Sequence, residues 1–473
     1  MTAPPPLRTA KLPPRPAFLR ALGPGVVWLA LAQGSGELIW WPYLIAKYGL
    51  WFLCLLVPAC LLQWPLNVEI GRYTMLTGES VWQGFYRQSR LLSLGLWLLM
   101  AASFLWFGGF ASAGGEAIAS LTNVPAGLSP EGQKLFWGFA SVAVSFVALF
   151  FSKTAYTLVE RVMMVVAIVT VIGLLASCFH PDVRERLPAF AAGLVAPDRP
   201  PGAVFDFGDA TRLLTALSFA GLGGFWALFY SSWLREKGFG MAAYMGKVTS
   251  PITGKGEFVE DSGAAPLDEP GLAARVKGWT RLLWADSGVG VFGNILTTLM
   301  MCLLSYALLF PHGKVPTDDQ LVTLQAQFFE SSWGDLGRIV FLVVAAAFLA
   351  DTWLGTADAV AHTHTEMFRS FSRRLRERYS YRAMYYFFVV ALTVVTSLTM
   401  AARSPSALIL TSAVIGFFGT VLYSAALLHL NYRVLPPLLP PAARPSPRGA
   451  LLLGAVVAAY ASLAVAYVFV QLR

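Results

Sequence analysis

Charge is what this chain has least of. Asp, Glu, Lys and Arg make up 13% of its 473 residues, whereas 56% are hydrophobic and the mean hydropathy is +0.60. Apolar surface on that scale exceeds what a soluble fold can bury, which excludes a water-soluble globular protein and indicates a polytopic membrane protein. Cysteine is scarce too. Cys54, Cys60, Cys178 and Cys302 lie in apolar runs without CxxC or Cys/His spacing, so neither a disulfide framework nor a zinc site is indicated. Walker A, HExxH and GxSxG sequences are lacking. Gly288, Gly290 and Gly293 satisfy GxGxxG, but they open an apolar run with no βαβ unit around them and read as helix packing. His362 and His364 are two apart, point to different helix faces and make a poor metal pair. These absences argue against an enzyme, and nothing in the chain asks for a cofactor.

What is present is length of apolar run. Eleven segments can cross about 30 Å of hydrocarbon: residues 26–46, 50–68, 92–121, 136–151, 158–179, 213–234, 289–310, 339–361, 384–402, 407–430 and 451–470. The net charge of +9 is dispersed through the short loops between them, which is a topology pattern and not a nucleic-acid surface. With the N-terminus inside, 25 of the 35 lysines and arginines fall on the cytoplasmic side, as the positive-inside rule requires, and the C-terminus lies outside. Residues 1–22, with Pro4-Pro5-Pro6 and Pro13-Pro14, read as a disordered cytoplasmic tail and not a cleaved signal peptide. The longest insertions are 181–211, expected outside, and 235–280, expected inside. Residues 272–284 fit either an interfacial amphipathic helix or a solvated entry to the seventh span.

Two of the spans are interrupted by glycine. Gly34-Ser35-Gly36-Glu37 cuts the first, and Gly221-Leu222-Gly223-Gly224 cuts the sixth. Each glycine costs a helix roughly 1 kcal/mol, and unwound backbone in lipid is tolerated only where it is buried or lines a cavity. Broken helices at matching places in two halves of a membrane protein point to a substrate site. Glu37 sits at a depth where an ionisable side chain is costly and usually functional; the competing reading is close packing at Gly34 and Gly36 with Glu37 paired to a nearby base. In the eighth span Asp351, Asp358, His362 and Glu366 fall in one helical sector, with Thr352 and Thr356 adding hydroxyls. Such a stripe suits a cavity wall or a path for protons or a coupling ion, and Asp351 lies deepest in the apolar run. Glu116, among small residues of the third span, faces either the bundle interior or the external interface.

Further residues carry a family likeness. Gly23-Pro24-Gly25 precedes the first break, Tyr156 and Glu160 open the fifth span, the broken sixth span runs into Ser232-Trp233-Leu234-Arg235-Glu236-Lys237-Gly238, and Asn431-Tyr432-Arg433 closes the tenth. On these the chain resembles the Nramp family of proton-coupled divalent metal transporters, and more closely a bacterial Nramp-like branch. The resemblance implies an all-α LeuT-type fold of about eleven transmembrane helices, with a 5+5 inverted repeat (about 23–180 and 205–436) and discontinuous helices one and six. Residues 437–473 would be a linker and an appended eleventh helix, and the setting a bacterial cytoplasmic membrane. The family's metal motifs are altered. Its Asp-Pro-Gly-Asn falls on Gly34, Ser35, Gly36 and Glu37, and its Met-Pro-His on Gly223, Gly224 and Phe225; the acidic residues of its third span fall on Gly109 and Ser112. What remains is an oxygen set of Glu37, Ser35, Asp351 and Thr352, suited to a hard divalent cation such as Mg²⁺ or Mn²⁺. The expected cargo is therefore such a cation, held by Glu37 and Asp351 and moved with H⁺ or Na⁺. The alternative is a small organic solute in a roomier pocket walled by Phe225 and Trp226.

Overall fold

Proline and glycine decide where the apolar runs begin and end. The computed structural model describes residues 5–33, 39–152, 155–254, 259–316, 330, 333–402 and 405–472. Helix α1, Pro24–Ala32, starts on a proline at its first turn, where the missing N–H would have had no partner anyway. Helix α2, Trp40–Tyr48, ends at Gly49 with φ 61°, and α3, Leu56–Thr77, ends at Gly78 in the left-handed region, the usual glycine stop. A capping box between Ser80 and Gln83 starts α4, Val81–Gln88. Then come α5 (Arg90–Phe104), α6 (Gly108–Thr122), α7 (Pro130–Phe151), α8 (Ala155–Cys178) and α9 (Pro181–Gly193). The second half contains α10 (Ala210–Ser218), α11 (Trp226–Lys237), α12 (Leu272–Leu308), α13 (Asp335–Phe371), α14 (Tyr381–Met400), α15 (Pro405–His429) and α16 (Pro447–Gln471).

Eight helical stretches among the described residues are long and apolar enough to cross a bilayer, three fewer than the runs counted in the sequence. The three runs not among them are the first, the sixth and the eighth. The sixth is divided into α10 and α11, of 9 and 12 residues, each too short for the roughly 20 residues a crossing needs, and in the first α1 and α2 flank residues 34–38, which lie outside the described set. The eighth lies in the 37-residue α13, in which the side chains of residues 347–351 are outside the described set. α1 packs against α8, α12 and α13; α11 lies against α3 and α13; α15 supports α5, α6 and α10. The eleventh helix, α16, joins this body through α3 and α15, and Gln63 Nε2 donates to Tyr460 Oη at 2.6 Å.

The N-terminal segment departs from the disorder expected of it. Arg8–Ala10 forms a strand, β1, paired in parallel with β2, Ala264–Pro266. Proline forbids a helix here but permits extended backbone. The partner segment supplies the ladder: Arg8 N–H donates to the Gly263 carbonyl at 3.1 Å, and Leu267 N–H to that of Ala10 at 2.8 Å. Residues 272–284, open between two readings, are the first turns of the continuous α12.

Candidate functional site

The second break is built from three glycines doing different work. Gly221 (φ 103°) and Gly224 (φ 62°) turn the chain through the left-handed region, which side chains with a Cβ avoid. Gly223 is there for space: a Cβ on it would lie 1.6 Å from the Ser218 carbonyl oxygen, at the last residue of α10. The turn is held from outside by Tyr423 of α15, whose hydroxyl donates to the Gly224 carbonyl at 2.9 Å. One carbonyl freed by the break is thus satisfied, as a membrane interior demands.

Around that turn the wall is aromatic. Phe225 stacks on Trp82 (centroids 6.1 Å apart, 24° between planes) and meets Tyr423. Trp226 is ringed by Phe104, Phe107, Phe110 and Phe219 at 4.9–6.1 Å, and its indole N–H donates to Thr356 Oγ1 of α13 at 3.0 Å. From α1, Trp28 reaches Gly221, where an added Cβ would lie 3.0 Å from the indole. The first, sixth and eighth spans therefore meet here, as their polar interruptions suggest. Gly34, Ser35, Gly36 and Glu37 lie outside the described residues. Gln33 adjoins them, 2% exposed, and neither atom of its amide has a hydrogen-bond partner among the described residues. Asp351 falls within α13, its side chain outside the described set; Thr352 beside it is fully buried.

Further along α13 a second polar centre forms. Asp358, His362 and Glu366 share a face that packs on α11 and α14. Tyr385 Oη donates to Asp358 Oδ1 at 2.6 Å. His362 Nε2 stands between two carboxylates, 3.6 Å from Asp358 Oδ1 and 3.7 Å from Glu236 Oε1, while its Nδ1 is 3.0 Å from Tyr381 Oη. Glu366 pairs with Arg235 and accepts hydrogen bonds from Ser80 and from Tyr381, the latter at 3.3 Å. Arg235 also donates to the Glu260 carbonyl at 3.1 Å and lies over the Tyr381 ring, 5.5 Å from its centroid. All of these side chains are buried. Asp358 and His362 are thus brought together as expected, but Glu236, Arg235, Tyr381 and Tyr385 come from sequence-distant helices; the four-residue spacing of the two tyrosines is the only hint of a stripe facing α13. His364 points elsewhere, accepting the Trp97 indole N–H at 2.8 Å. Glu116 is not part of this centre: with Asn123, Glu131 and Lys134 it lines a cavity where α6 ends and α7 begins.

At the opposite ends of the half-helices, Asp209 fastens α2 to α10. It accepts from Tyr43 (3.0 Å), Tyr48 (2.6 Å), Lys47 (2.6 Å) and Arg212 (2.7 Å). Burial alone would raise the Asp209 carboxyl, but the donors from Lys47, Tyr48 and Arg212 outweigh it and hold it below the ordinary aspartate value. Lys47 is held above the usual lysine value by the same pairing and by Asp206, against the opposing effect of burial.

No family model matches the chain, and no curated protein does. Solved structures do. Two mutant forms of an Eremococcus coleocola manganese transporter align with TM-scores of 0.58 and 0.59 at 12% identity, covering 97% of this chain and 88% of theirs. The same transporter in complex with an aromatic bis-isothiourea substituted compound covers 99% of both chains, at 13% identity and a TM-score of 0.58. A nucleobase-cation-symport-1 family transporter, closed with bromovinylhydantoin bound, gives 0.54 at 14% identity, over 92% of this chain and 81% of its own. The fold is of the LeuT type. The proteins that share it here are membrane transporters, not enzymes.

Within a LeuT-type fold the motif residues quoted above acquire physical roles as joints. A Cβ on Gly23 would lie 2.2 Å from Glu160 Oε1, which Lys237 grips at 2.6 Å, and one on Gly25 would lie 2.0 Å from the Asp286 carbonyl oxygen. Asp286 in turn accepts from Tyr230 Oη at 2.7 Å. Asn431 donates to the Glu69 backbone carbonyl at 2.8 Å and to its Oε2 at 2.9 Å. These residues tie α1, α8, α11 and α12 together, and α3 to the end of α15. Gly290 and Gly293 of the GxGxxG match pack on Trp28 and Leu29, which is the helix-packing role expected of them.

Proposed function

We propose that the chain is a secondary-active transporter working by alternating access, with a small cationic substrate held between the two breaks. It sits in a bacterial cytoplasmic membrane with its N-terminus inside. The convergence of the broken spans carries this reading: Trp28 of α1 meets Gly221, and Trp226 is bonded to Thr356 of α13. Paired broken helices are where such transporters place their sites. Of the two cargoes the sequence leaves open, the described wall supports an organic cation. Phe225 and Trp226 border the second break, and an ammonium group gains about 0.5–2 kcal/mol over an aromatic face; the Gln33 amide has no partner among the described residues, and Glu37 would supply the counter-charge. The divalent-cation reading is supported by the oxygens of Glu37, Ser35, Asp351 and Thr352 and by the likeness to a manganese transporter.

Glu37→Gln is expected to abolish uptake with expression unchanged, since either cargo needs that charge. Normal uptake of both labelled Mn²⁺ and small organic amines by this variant would sink the site assignment. The cargo is separated by thermal shift: Mn²⁺ or Mg²⁺ should leave the melting temperature unmoved and amines raise it, and the reverse result selects the metal.

The coupling site we assign to Asp358, His362 and Glu236, with H⁺ as the ion. An imidazole within 3.7 Å of two buried carboxylates can pass a proton between them without leaving a buried charge unpaired. Asp358→Asn should uncouple uptake from an imposed pH gradient while amine binding persists. Uptake that still follows the gradient in this variant, or follows Na⁺ in the wild type, rejects the assignment.

A further inference from the structure

We propose that the face between α13 and α14 holds an anionic phospholipid, its acyl chain in an apolar groove and its phosphate among the arginines of the connection between these helices. The groove, about 610 Å³, is lined by Phe368 at the end of α13, Leu375 and Tyr379 of the connection, and Met384, Phe387 and Phe388 of α14. Phe368 and Phe388 stack at 5.1 Å to form its floor, and Phe387 stands 64% exposed at its side. The groove lies at the helix ends, where an acyl chain reaches up toward its headgroup.

The headgroup preference comes from the connection. Residues 369–382 contain six arginines against one carboxylate, Glu377. Two arginines are engaged: Arg369 with Asp261 at 2.7 and 2.8 Å, and Arg373 with Glu377 at 2.5 Å. Arg374, Arg376, Arg378 and Arg382 form no ion pair among the described residues, and Arg376 lines a separate cavity with Asp261 and Glu366. Arg378 lies over the Tyr379 ring, 5.6 Å from its centroid, and Tyr379 lines the groove, so a guanidinium stands at the rim where a phosphate would sit. Guanidinium binds phosphate through paired N–H donors. A zwitterionic headgroup brings its own cation against these arginines and gains little, whereas phosphatidylglycerol leaves the phosphate charge to them.

The test is native mass spectrometry of the full chain released from micelles holding equal phosphatidylglycerol and phosphatidylcholine. Wild type should retain phosphatidylglycerol preferentially, and each of Arg374→Ala, Arg378→Ala and Arg382→Ala should reduce that preference about fivefold or less, cumulatively. Phe387→Ser should weaken retention of both lipids and leave their ratio unchanged, which separates the groove from the headgroup contact. Equal retention of the two lipids by wild type overturns the proposal, without recourse to any variant. So does a triple arginine variant that keeps the preference, or thermal stabilisation by inorganic phosphate equal to that by phosphatidylglycerol.

Discussion

Gly223→Ala should eliminate transport and deplete the folded protein. The added methyl would stand 1.6 Å from the Ser218 carbonyl oxygen, a main-chain atom at the end of α10 that cannot swing aside as a side chain can. Relief requires the break to open, moving Gly221 off Trp28 and Gly224 off the Tyr423 hydroxyl that satisfies its carbonyl. Overpacking in a rigid core costs about 1–3 kcal/mol, and here the loss of a buried hydrogen bond is added. Gly95→Ala is the control. Gly95 lies on the exposed side of α5 with nothing within 4 Å of an added Cβ, and alanine there should be neutral or stabilising by up to about 1 kcal/mol. Uptake assays and fluorescence-detected size exclusion read both variants. Wild-type uptake by Gly223→Ala would mean that the turn between α10 and α11 is not the site.

Arg235→Met should lower the melting temperature sharply, because it strands Glu366. Both side chains are nearly inaccessible, at 3% and 2%. Removing one partner of a buried pair leaves an uncompensated charge at a cost of roughly 3–5 kcal/mol. Ser80 and Tyr381 would still hydrogen-bond the carboxyl, but neither cancels its charge. Pairing the change with Glu366→Gln removes the stranded charge while keeping an acceptor for those donors, so the double variant should recover most of the loss. The signature is this non-additivity. Two single variants whose losses add in the double variant would show that Arg235 acts through its stacking on Tyr381 and its bond to the Glu260 carbonyl, not through Glu366.

Much of this arrangement was legible before any coordinates. Glycine clusters in apolar runs read either as turns or as close packing, and the sixth span turns where its glycines are. The helical sector of Asp358, His362 and Glu366 was equally readable, because a periodicity of 3.6 fixes which residues share a face. The partners of that sector were not: Glu236 and Arg235 lie more than a hundred residues away, and no local pattern says which helix face will meet which. The N-terminal strand escaped for a related reason. Proline content rules out a helix, but the ladder that orders residues 8–10 comes from residues 264–266. Glu116 was open between a bundle interior and an interface, and the end of α6 at Thr122 sets it beside Asn123 and Lys134.

The Asp209 cluster has a mechanical consequence. One carboxylate gathers donors from the last turns of α2 and from the first turn of α10, so these two helices are yoked at their tips. Neither can tilt without dragging the other. The turn at residues 219–225 is then a knuckle between this yoked pair and α11.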